Sequence, residues 1–319
     1  MKILVITNPV AGGGKTLRLL PKIRQWLSAS PHEFSFSTPR SIKEMHIEIM
    51  QASAKGTNAL LFVGGDGTVH QALPAIAEAK IPFGFLPCGR GNDFARNIGL
   101  PSKLKKSCFL PSNPSFHQVD LPRINHIPFI AVAYVGFDAE VNKLANDGKG
   151  YFGGTLGYIV CVLKTLKTFK PFEVEITIDD LTWRERVMMV SVANAPFYGG
   201  GMKIAPDANM NDGVFDICIV QEISKLELLQ QFPRVFKGTH IFHPKVLMKT
   251  GRKIRLVSDE NREIFADGEY VGSLPGEYTI GTQKIQIMSP WSPTGKARGS
   301  QETPTRGEHP VPEDQFTHG

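Results

Sequence analysis

The 319-residue sequence lacks any hydrophobic run long enough to cross a bilayer, which takes about 20 consecutive apolar residues. It has no signal-peptide pattern either, because its first apolar residues run at once into a glycine-rich loop. Its four cysteines are scattered, with no CxxC pair and no histidine at metal-ligand spacing. These absences predict a cytoplasmic protein with reduced thiols and without a transmembrane segment, zinc site or disulfide framework.

Charge of one sign is also scarce, since 36 basic residues stand against 30 acidic ones and the net charge is only +6. No arginine-rich run and no zinc or RNA-binding motif accompanies this small excess, so nucleic acid is not expected as a partner. A modest positive charge suits nucleotides and anionic membranes. A homodimer is an expectation from base rates alone.

Strand and helix signals alternate over the first hundred or so residues. This pattern predicts a doubly wound, Rossmann-like α/β domain with a parallel sheet, whose ligands bind at the carboxyl ends of the strands. Ser41 and Glu44 predict a capping box, and Pro74 is expected in the first turn of its helix. The predicted elements are strands Lys2–Thr7, Glu33–Ser37, Ala59–Val63 and Ile81–Leu86, and helices Thr16–Ser28, Ser41–Lys55 and Gln71–Lys80.

The second half reads instead as consecutive strands interrupted by helices near Thr155–Phe169 and Lys225–Phe236. Such runs predict an antiparallel β-sandwich domain. We therefore expect domains at 1–122 and 123–290, with a last strand that could return to the first domain, and a disordered tail at 291–319 that is poor in apolar residues. The predicted strands are Phe129–Tyr134, Phe172–Ile178, Val187–Ala193, Val214–Val220, Ile254–Val257 and Tyr278–Ile287.

Three loops at strand ends carry the chemistry of the first half. The loop Asn8–Thr16 ends like a Walker P-loop, but the first glycine of that motif would fall on Pro9, so phosphate binding and a mere tight turn both stay open. The loop Gly64–Thr68 places Asp66 among three glycines, where a carboxylate could hold a Mg²⁺-bound phosphate or a sugar hydroxyl, or simply cap a turn. In the loop Pro87–Arg96, Arg90 and Arg96 could meet phosphates or lie solvated on the surface.

The ordered trio of loops resembles the catalytic domain of the diacylglycerol kinase and sphingosine kinase superfamily, and bacterial soluble lipid kinases most of all. The resemblance continues through Gly136–Ala139, Tyr198–Phe215 and Asp267–Glu269, and covers about residues 1–290. It implies a kinase that transfers the γ-phosphoryl group of ATP, with Mg²⁺, to a lipid hydroxyl. The acceptor lipid, diacylglycerol or a related one, is not readable from the sequence.

The resemblance also implies roles for individual residues. Glu269 would be the general base, with Asp66 and Asp267 in supporting catalytic roles. Mg²⁺ would be held by the carboxylate of Asp212 and the carbonyls of Asn209 and Val214, in a stretch that fails the EF-hand pattern and could equally be a hairpin loop rich in Asp and Asn. ATP is expected to contact Asn8, Pro9, Val10, Ala11, Gly12, Thr38, Gly65, Asp66, Gly67, Thr68, Val69, His70, Gln71 and Arg90.

Two departures keep alternatives open. His70-Gln71 replaces the Asn-Glu usual in bacterial relatives, and Arg90 stands where many have threonine. A kinase acting on NAD and a non-catalytic nucleotide-binding regulator therefore remain as alternatives.

Membrane contact is a further open question at this stage. Lys164, Lys167 and Lys170 fall near the end of the apolar stretch Tyr151–Lys170. They could be solvated lysines on a core helix, or could support peripheral, transient contact with an anionic membrane that holds the lipid substrate.

Overall fold

The computed structural model describes residues 1–146 and 155–290. The predicted disordered tail, 291–319, and the first residues of the predicted helical stretch, 151–154, lie outside the described residues. The strands are β1 Lys2–Thr7, β2 Glu33–Ser37, β3 Ala59–Gly64, β4 Phe83–Pro87, β5 Phe116–Ile124, β6 Ile127–Pro128, β7 Val132–Gly136, β8 Phe172–Ile178, β9 Leu181–Ala193, β10 Phe197–Tyr198, β11 Met202–Lys203, β12 Phe215–Gln221, β13 Val246–Gly251, β14 Lys253–Val257, β15 Glu263–Ala266, β16 Glu269–Ser273 and β17 Gly276–Met288.

Eight α-helices are found in the described ranges, with two short 3-10 helices at Leu110–Ser112 and Thr239–Phe242. None of the helices in these ranges is long and apolar enough to span a bilayer. The α-helices are α1 Ala11–Leu27, α2 Ile42–Ala54, α3 Asp66–Ala79, α4 Asp93–Asn97, α5 Leu104–Ser107, α6 Phe137–Asn146, α7 Thr155–Thr168 and α8 Lys225–Lys237.

The N-terminal half is built on a parallel sheet in the order β4-β3-β1-β2. Alternate residues of each strand enter opposite cores, as the pleat requires. Leu60 and Phe62 pack on the side that contains residues of α2 and α3, whereas Ala59 and Leu61 pack on the side that contains residues of α1. Helices thus cover both faces, which confirms the doubly wound α/β prediction.

The C-terminal half is an antiparallel, sandwich-like arrangement, as predicted, in which β9 pairs with β7, β8 and β12. The last strand, β17, is long and pairs antiparallel with β5 and β14. Its end then runs parallel to β4, with Ile287 opposite Phe83. One strand therefore ties both halves into a continuous sheet.

The third helix departs from its prediction, because α3 begins at Asp66 and takes in most of the glycine loop. The prediction that Pro74 lies in a first turn is therefore wrong. Pro74 lies mid-helix, where it cannot donate a backbone hydrogen bond. Sequence reasoning placed the start of α3 too late because Gly67 is a poor helix former. In the structure, the packing of buried Val69 and Leu73 outweighs that low helix propensity.

The start of α2 follows the predicted cap with one change. The Ser41 hydroxyl accepts the backbone N–H of Glu44 at 3.1 Å, as predicted. The Glu44 carboxylate, however, accepts the N–H of Arg40 rather than that of Ser41. The reciprocal half of the capping box is thus displaced by one residue.

Candidate active site

The first two loops meet at the carboxyl edge of the parallel sheet, where the ends of β1 and β3 lie side by side. The Asn8 side chain donates to the Thr68 hydroxyl at 2.9 Å, and its backbone N–H donates to Val63 at 3.0 Å. Asn8 also accepts the N–H of Val10 through its side-chain oxygen. One asparagine thus fixes the first loop and ties it to the second.

The glycines of the first loop need the left-handed conformation. Gly12, Gly13 and Gly14 have φ of 59°, 68° and 79°, which only glycine adopts freely. A Cβ at Gly12 would lie 2.4 Å from the carbonyl oxygen of Cys88, while Gly13 and Gly14 border open space. The loop therefore packs closely on the third loop and leaves room beside its tip, a geometry compatible with a bound phosphate.

The second and third loops are held in backbone contact by glycine. A Cβ at Gly89 would lie 2.7 Å from the Cα of Gly65. The Asn92 side chain closes the third loop on itself, accepting the N–H of Gly89 at 2.9 Å and donating to its carbonyl at 3.0 Å. Asn92 sits at φ 51°, a conformation asparagine tolerates well.

Two carboxylates, Asp66 and Asp93, face one another across Gly91. A Cβ built on Gly91 would lie 3.2 Å from Asp66 Oδ2 and 3.3 Å from Asp93 Oδ2. Burial raises the pKa of Asp66 to about 6; the N–H of Phe94, which donates to it, lowers the pKa, and the charge of Asp93 raises it. Burial also raises the pKa of Asp93. Carboxylate oxygens from two residues are donors that a divalent ion such as Mg²⁺ prefers, so this pair fits such an ion.

Arg96 and the β10–β11 hairpin complete the surroundings of Asp93. The Arg96 guanidinium pairs with Asp93 Oδ1, and the N–H of Gly200 donates to Asp93 Oδ2 at 2.6 Å. Arg90, by contrast, is exposed at the loop tip. The third loop is thereby connected to the C-terminal half, whose Phe197 ring lies 5.8 Å from the Arg96 guanidinium carbon.

The Asp267-Gly268 pair forms the hairpin turn between β15 and β16, with φ of 51° and 92°. Asp267 turns inward and accepts the backbone N–H groups of Ile130 at 2.9 Å and Ala131 at 2.8 Å. Glu269 follows directly and reaches the second loop, since a Cβ on Gly67 would lie 2.5 Å from its Oε1. The structure thus brings Glu269, Asp267 and Asp66 together from both halves of the chain.

His70 links α3 to the same turn. Its Nδ1 lies 3.0 Å from Asp267 Oδ2, and the two side chains are 10% and 4% exposed. Burial lowers the pKa of His70, but the hydrogen bond and charge of Asp267, with the charge of Glu269, outweigh this and raise it above 6.5. His70, which departs from the expected family pattern, therefore lies inside the candidate site.

The remaining predicted nucleotide contacts lie at this edge in different environments. Thr38 is exposed just after β2, and Val10 is 76% exposed in the first loop. The side chain of Val69 is fully buried in the core, so only its backbone could face a nucleotide. The backbone carbonyl of Gln71 accepts a hydrogen bond from His46 Nε2 at 2.7 Å.

The predicted metal loop is a compact turn. Asp212 Oδ1 accepts the N–H of Val214 at 3.1 Å, and the Asn209 side chain accepts the N–H of Asn211 at 3.2 Å. Within the described ranges, no cluster of three or more His, Cys, Asp or Glu side chains is arranged for a metal. The oxygen donors of this loop, one carboxylate with backbone carbonyls, are nevertheless of the kind that Mg²⁺ prefers.

Sequence reasoning missed two residues that hold this loop. The buried carboxylate of Asp120 accepts the N–H of Gly213 at 2.8 Å and pairs with Lys284 Nζ at 3.0 Å. Lys284 also donates to the Asn211 carbonyl at 3.2 Å. Asp120 could have been noticed in the sequence, because an aspartate is unusual within an apolar strand such as Phe116–Ile124. Lys284 could be found only from the fold.

An apolar cavity lies beneath α8 in the C-terminal half. Its empty volume, including the opening to solvent, is about 610 Å³. Tyr198 connects it to the site, because this residue lines the cavity two positions before Gly200. The Tyr198 hydroxyl bonds to the buried carboxyl of Asp138, whose pKa burial raises to about 7. Other side chains of the lining are Phe137, Val162, Leu166, Ile204, Leu228 and Phe232.

Comparisons with known proteins agree over most of the chain. Residues 2–124 match the family model described as diacylglycerol kinase catalytic domain, and residues 131–289 match the YegS C-terminal NAD kinase beta sandwich-like domain. The chain is 31% identical over 302 residues to the diacylglycerol kinase of Mycobacterium tuberculosis (strain CDC 1551 / Oshkosh), covering 91% of this chain and 95% of that protein. It is 26% identical to the diacylglycerol kinase of Bacillus subtilis (strain 168), covering 90% and 95%.

The fold has a counterpart among solved structures. A crystal structure of a diacylglycerol kinase from Bacillus anthracis str. Sterne superposes with a TM-score of 0.71 at 21% sequence identity. The superposition covers 90% of this chain and 96% of that one. At this identity the similarity concerns the fold alone.

Proposed function

We propose that this chain, which belongs to the diacylglycerol kinase family of enzymes, transfers the γ-phosphoryl group of ATP to the hydroxyl of a lipid. The single observation that carries this proposal is the approach of Glu269 to Gly67 in the second glycine loop. A carboxylate from the β-rich half thereby reaches the backbone where a nucleotide phosphate would bind. Phosphoryl transfer needs such positioning together with one group to accept the proton of the attacking hydroxyl.

For the nucleotide we propose a site along the three loops. The first loop and the start of α3 offer backbone N–H groups and the positive end of a helix, which favour phosphates. Asn8–Gly12, the backbone of Gly65–Gln71 and the side chain of Arg90 would contact ATP, with Thr38 at the end of the neighbouring strand. Exposed Arg90 supplies a positive charge that can meet a phosphate from the solvent side.

We propose two places for divalent cations. The facing carboxylates Asp66 and Asp93 would hold the nucleotide-bound Mg²⁺, and Asp212 with the carbonyls of Asn209 and Val214 would hold a further ion in the loop braced by Asp120. When bound beside the nucleotide, Mg²⁺ neutralises negative charge on the phosphates. Asp66 is suited to this role because it is a largely buried carboxylate, with its pKa raised by burial to about 6, whose negative charge a bound cation would stabilise.

Glu269 is proposed as the general base. It would accept the proton from the lipid hydroxyl as the oxygen attacks the γ-phosphorus, in line with the leaving ADP oxygen. Asp267 would support it by fixing the turn, since its carboxylate accepts the N–H groups at the start of β7. The short turn leaves Glu269 little freedom to drift from the loop.

The apolar cavity beneath α8 supports a lipid acceptor rather than a polar one. Its lining is almost entirely aliphatic and aromatic, as expected for a site that shelters an acyl chain. The β10–β11 hairpin joins it to the phosphate-facing loops, because Tyr198 lines the cavity and Gly200 bonds to Asp93. A lipid held there could present its head group to Glu269.

The lipid would be met at a membrane surface, by peripheral and transient contact. Of the fifteen large exposed hydrophobic side chains among the described residues, six lie on α7, α8 and the following 3-10 helix, which border the cavity. Exposed lysines accompany them, and Glu227 is the only acidic residue of α7 or α8. The six side chains are Ile159, Leu163, Leu226, Leu229, Phe236 and Phe242.

The test is transfer of labelled γ-phosphate from ATP, with Mg²⁺, to a panel of lipids in mixed micelles, with NAD as a control acceptor. Label on diacylglycerol or a related lipid supports the proposal and identifies the acceptor. Label on NAD would replace it with the NAD kinase alternative. ATP binding without label on any acceptor would favour the non-catalytic alternative.

A further inference from the structure

His70 bridges two elements that are far apart in the chain. It lies on α3, one turn after Gly67, and its Nδ1 meets Asp267 Oδ2 at 3.0 Å across the boundary between the two halves. Both side chains are almost completely shielded from water. A charge-assisted hydrogen bond in such a place is stronger and more directional than one on the surface.

The turn that His70 meets is held firmly by the C-terminal half. Asp267 accepts the N–H groups of the two residues just before β7 and donates its own N–H to the Val132 carbonyl at 3.0 Å. The carbonyl of Gly268 accepts the side chain of Asn142 at 2.9 Å. The turn is thus rigid within its own half, and its distance from the nucleotide loop depends on contacts to α3.

Two contacts set that distance. Glu269 Oε1 lies against the backbone of Gly67, and Asp267 bonds to His70 three residues later. Residues three apart lie on the same face of a helix, so α3 meets the turn at two adjacent points. Of these, the Gly67 contact only limits how close Glu269 can come, whereas the His70 bond also holds the turn in place.

We infer that His70 is a positioning residue for phosphoryl transfer, which holds the turn so that Glu269 stays beside the second glycine loop. This inference rests on the proposed function. It differs from a nucleotide contact, because the ring nitrogen that the structure pairs is directed at Asp267. Asparagine at this position would keep the bond, since Asn Nδ2 and His Nδ1 are both bonded to Cγ and can reach the same acceptor.

The experiment compares His70→Leu and His70→Asn with wild type for kcat, for KM of ATP and of lipid, and for Tm. His70→Leu removes the bond and should lower kcat by about 10- to 100-fold, with KM for ATP within about twofold, because a misplaced base impairs the chemical step and not binding. His70→Asn restores a donor at the same atom position and should regain most of the lost kcat. His126→Asn, at an exposed histidine outside the site, is the matched control and should behave as wild type.

The outcomes separate the inference from the function on which it rests. An active wild type whose kcat is unchanged in His70→Leu would overturn the inference alone. A loss of kcat in His70→Leu would also overturn the inference if His70→Asn does not restore kcat although the Tm of His70→Asn matches that of wild type. A rise confined to KM for ATP would make His70 a nucleotide contact and overturn the positioning role. A wild type that labels no lipid, with intact folding, would overturn the proposed function and this role with it.

Discussion

At the scale of single residues, the site assembles carboxylates that differ in how their charge is balanced. Asp267 accepts several hydrogen bonds, including one from His70, and is well compensated. Asp66 is largely buried and faces Asp93, and burial above all raises its pKa to about 6, although the N–H of Phe94 donates to it. Asp267, whose negative charge is stabilised by several hydrogen bonds, suits a structural role, whereas the buried carboxylate of Asp66 suits binding of a cation. Their surroundings, and not their residue type, thus divide the proposed roles.

The His70–Asp267 pair predicts a specific dependence of stability on pH. The folded pKa of His70 is raised above 6.5, so the pair contributes fully below the unfolded pKa, and its contribution is lost as pH rises through the folded pKa. Thermal unfolding should therefore show a larger Tm difference between wild type and His70→Asn near pH 6 than near about pH 9. Asp66 and Glu269 lie close to the pair and are present in both proteins, so the effect of their titration cancels to first order. A Tm difference that grows with pH would refute the assignment.

The sequence identified the residues of this site better than their pairings. Asp66 and Glu269 could be predicted because each stands in a short motif with glycine. The bonds from His70 to Asp267 and from Lys284 to Asp120 could not, because they join residues more than 150 positions apart and depend on how the two halves dock. The histidine could be noticed only as a departure from the family pattern, without a physical reason for it.

At the scale of elements, glycine decides how close the loops can come. Gly65 and Gly89 let two backbones touch, and Gly67 leaves space for Glu269. Sequence reasoning recognised these loops but misplaced the start of α3, because a glycine-rich segment resembles a loop until its packing is known. The ends of β1, β2, β3 and β4, in contrast, were predicted within two residues, since buried runs of the parallel sheet are bounded sharply by glycine and proline. In the second half β9 begins six residues before its predicted start, and β5, β13, β15 and β16 were missed.

Gly67→Ala tests the contact between the loop and the base. Gly67 has helical backbone, so alanine should leave folding intact or stabilise it by roughly 0.5–1 kcal/mol. Its Cβ would lie 2.5 Å from Glu269 Oε1 and must displace that carboxylate, which should lower kcat by about 100-fold. Steady-state kinetics and thermal unfolding together measure both effects. Gly281→Ala is the control, because the atom nearest to its added Cβ would be 4.0 Å away. A Gly67→Ala variant with the full kcat of wild type would show that Glu269 does not act from its observed position.

At the scale of the whole molecule, β17 joins the strands of the two halves into one continuous sheet. It leaves the antiparallel region beside β14 and ends in parallel pairing with β4. Each half could be predicted from its own pattern of strands and helices. The pairing of the last strand with the first domain could be stated from the sequence only as one possibility. Strand order across the chain is set by docking of the halves, which no local pattern encodes. The site depends on that docking, because Asp66 and Glu269 come from opposite sides of it.

The surface formed by α7 and α8 predicts binding to anionic vesicles. Leu226 is 66% exposed on α8, and its replacement by glutamate removes an apolar contact and adds repulsion. Sedimentation with vesicles containing phosphatidylglycerol should show roughly 10- to 150-fold weaker binding for Leu226→Glu, since burying a leucine stabilises by roughly 1.5–3 kcal/mol and tenfold corresponds to about 1.4 kcal/mol. Leu181→Glu, 72% exposed on the β8–β9 hairpin, should bind like wild type. Equal weakening in both variants would mean that general charge, and not this surface, governs binding.

The most direct test of the account compares wild type with Glu269→Gln in transfer of the ATP γ-phosphate to lipid at saturating ATP and Mg²⁺. Glutamine keeps the size of the side chain but cannot accept the proton, so kcat should fall by about 10²- to 10⁴-fold while ATP binding stays within about twofold. A Glu269→Gln variant that retains the kcat of wild type would contradict the account, because Glu269 would then not be the group that accepts the proton of the lipid hydroxyl.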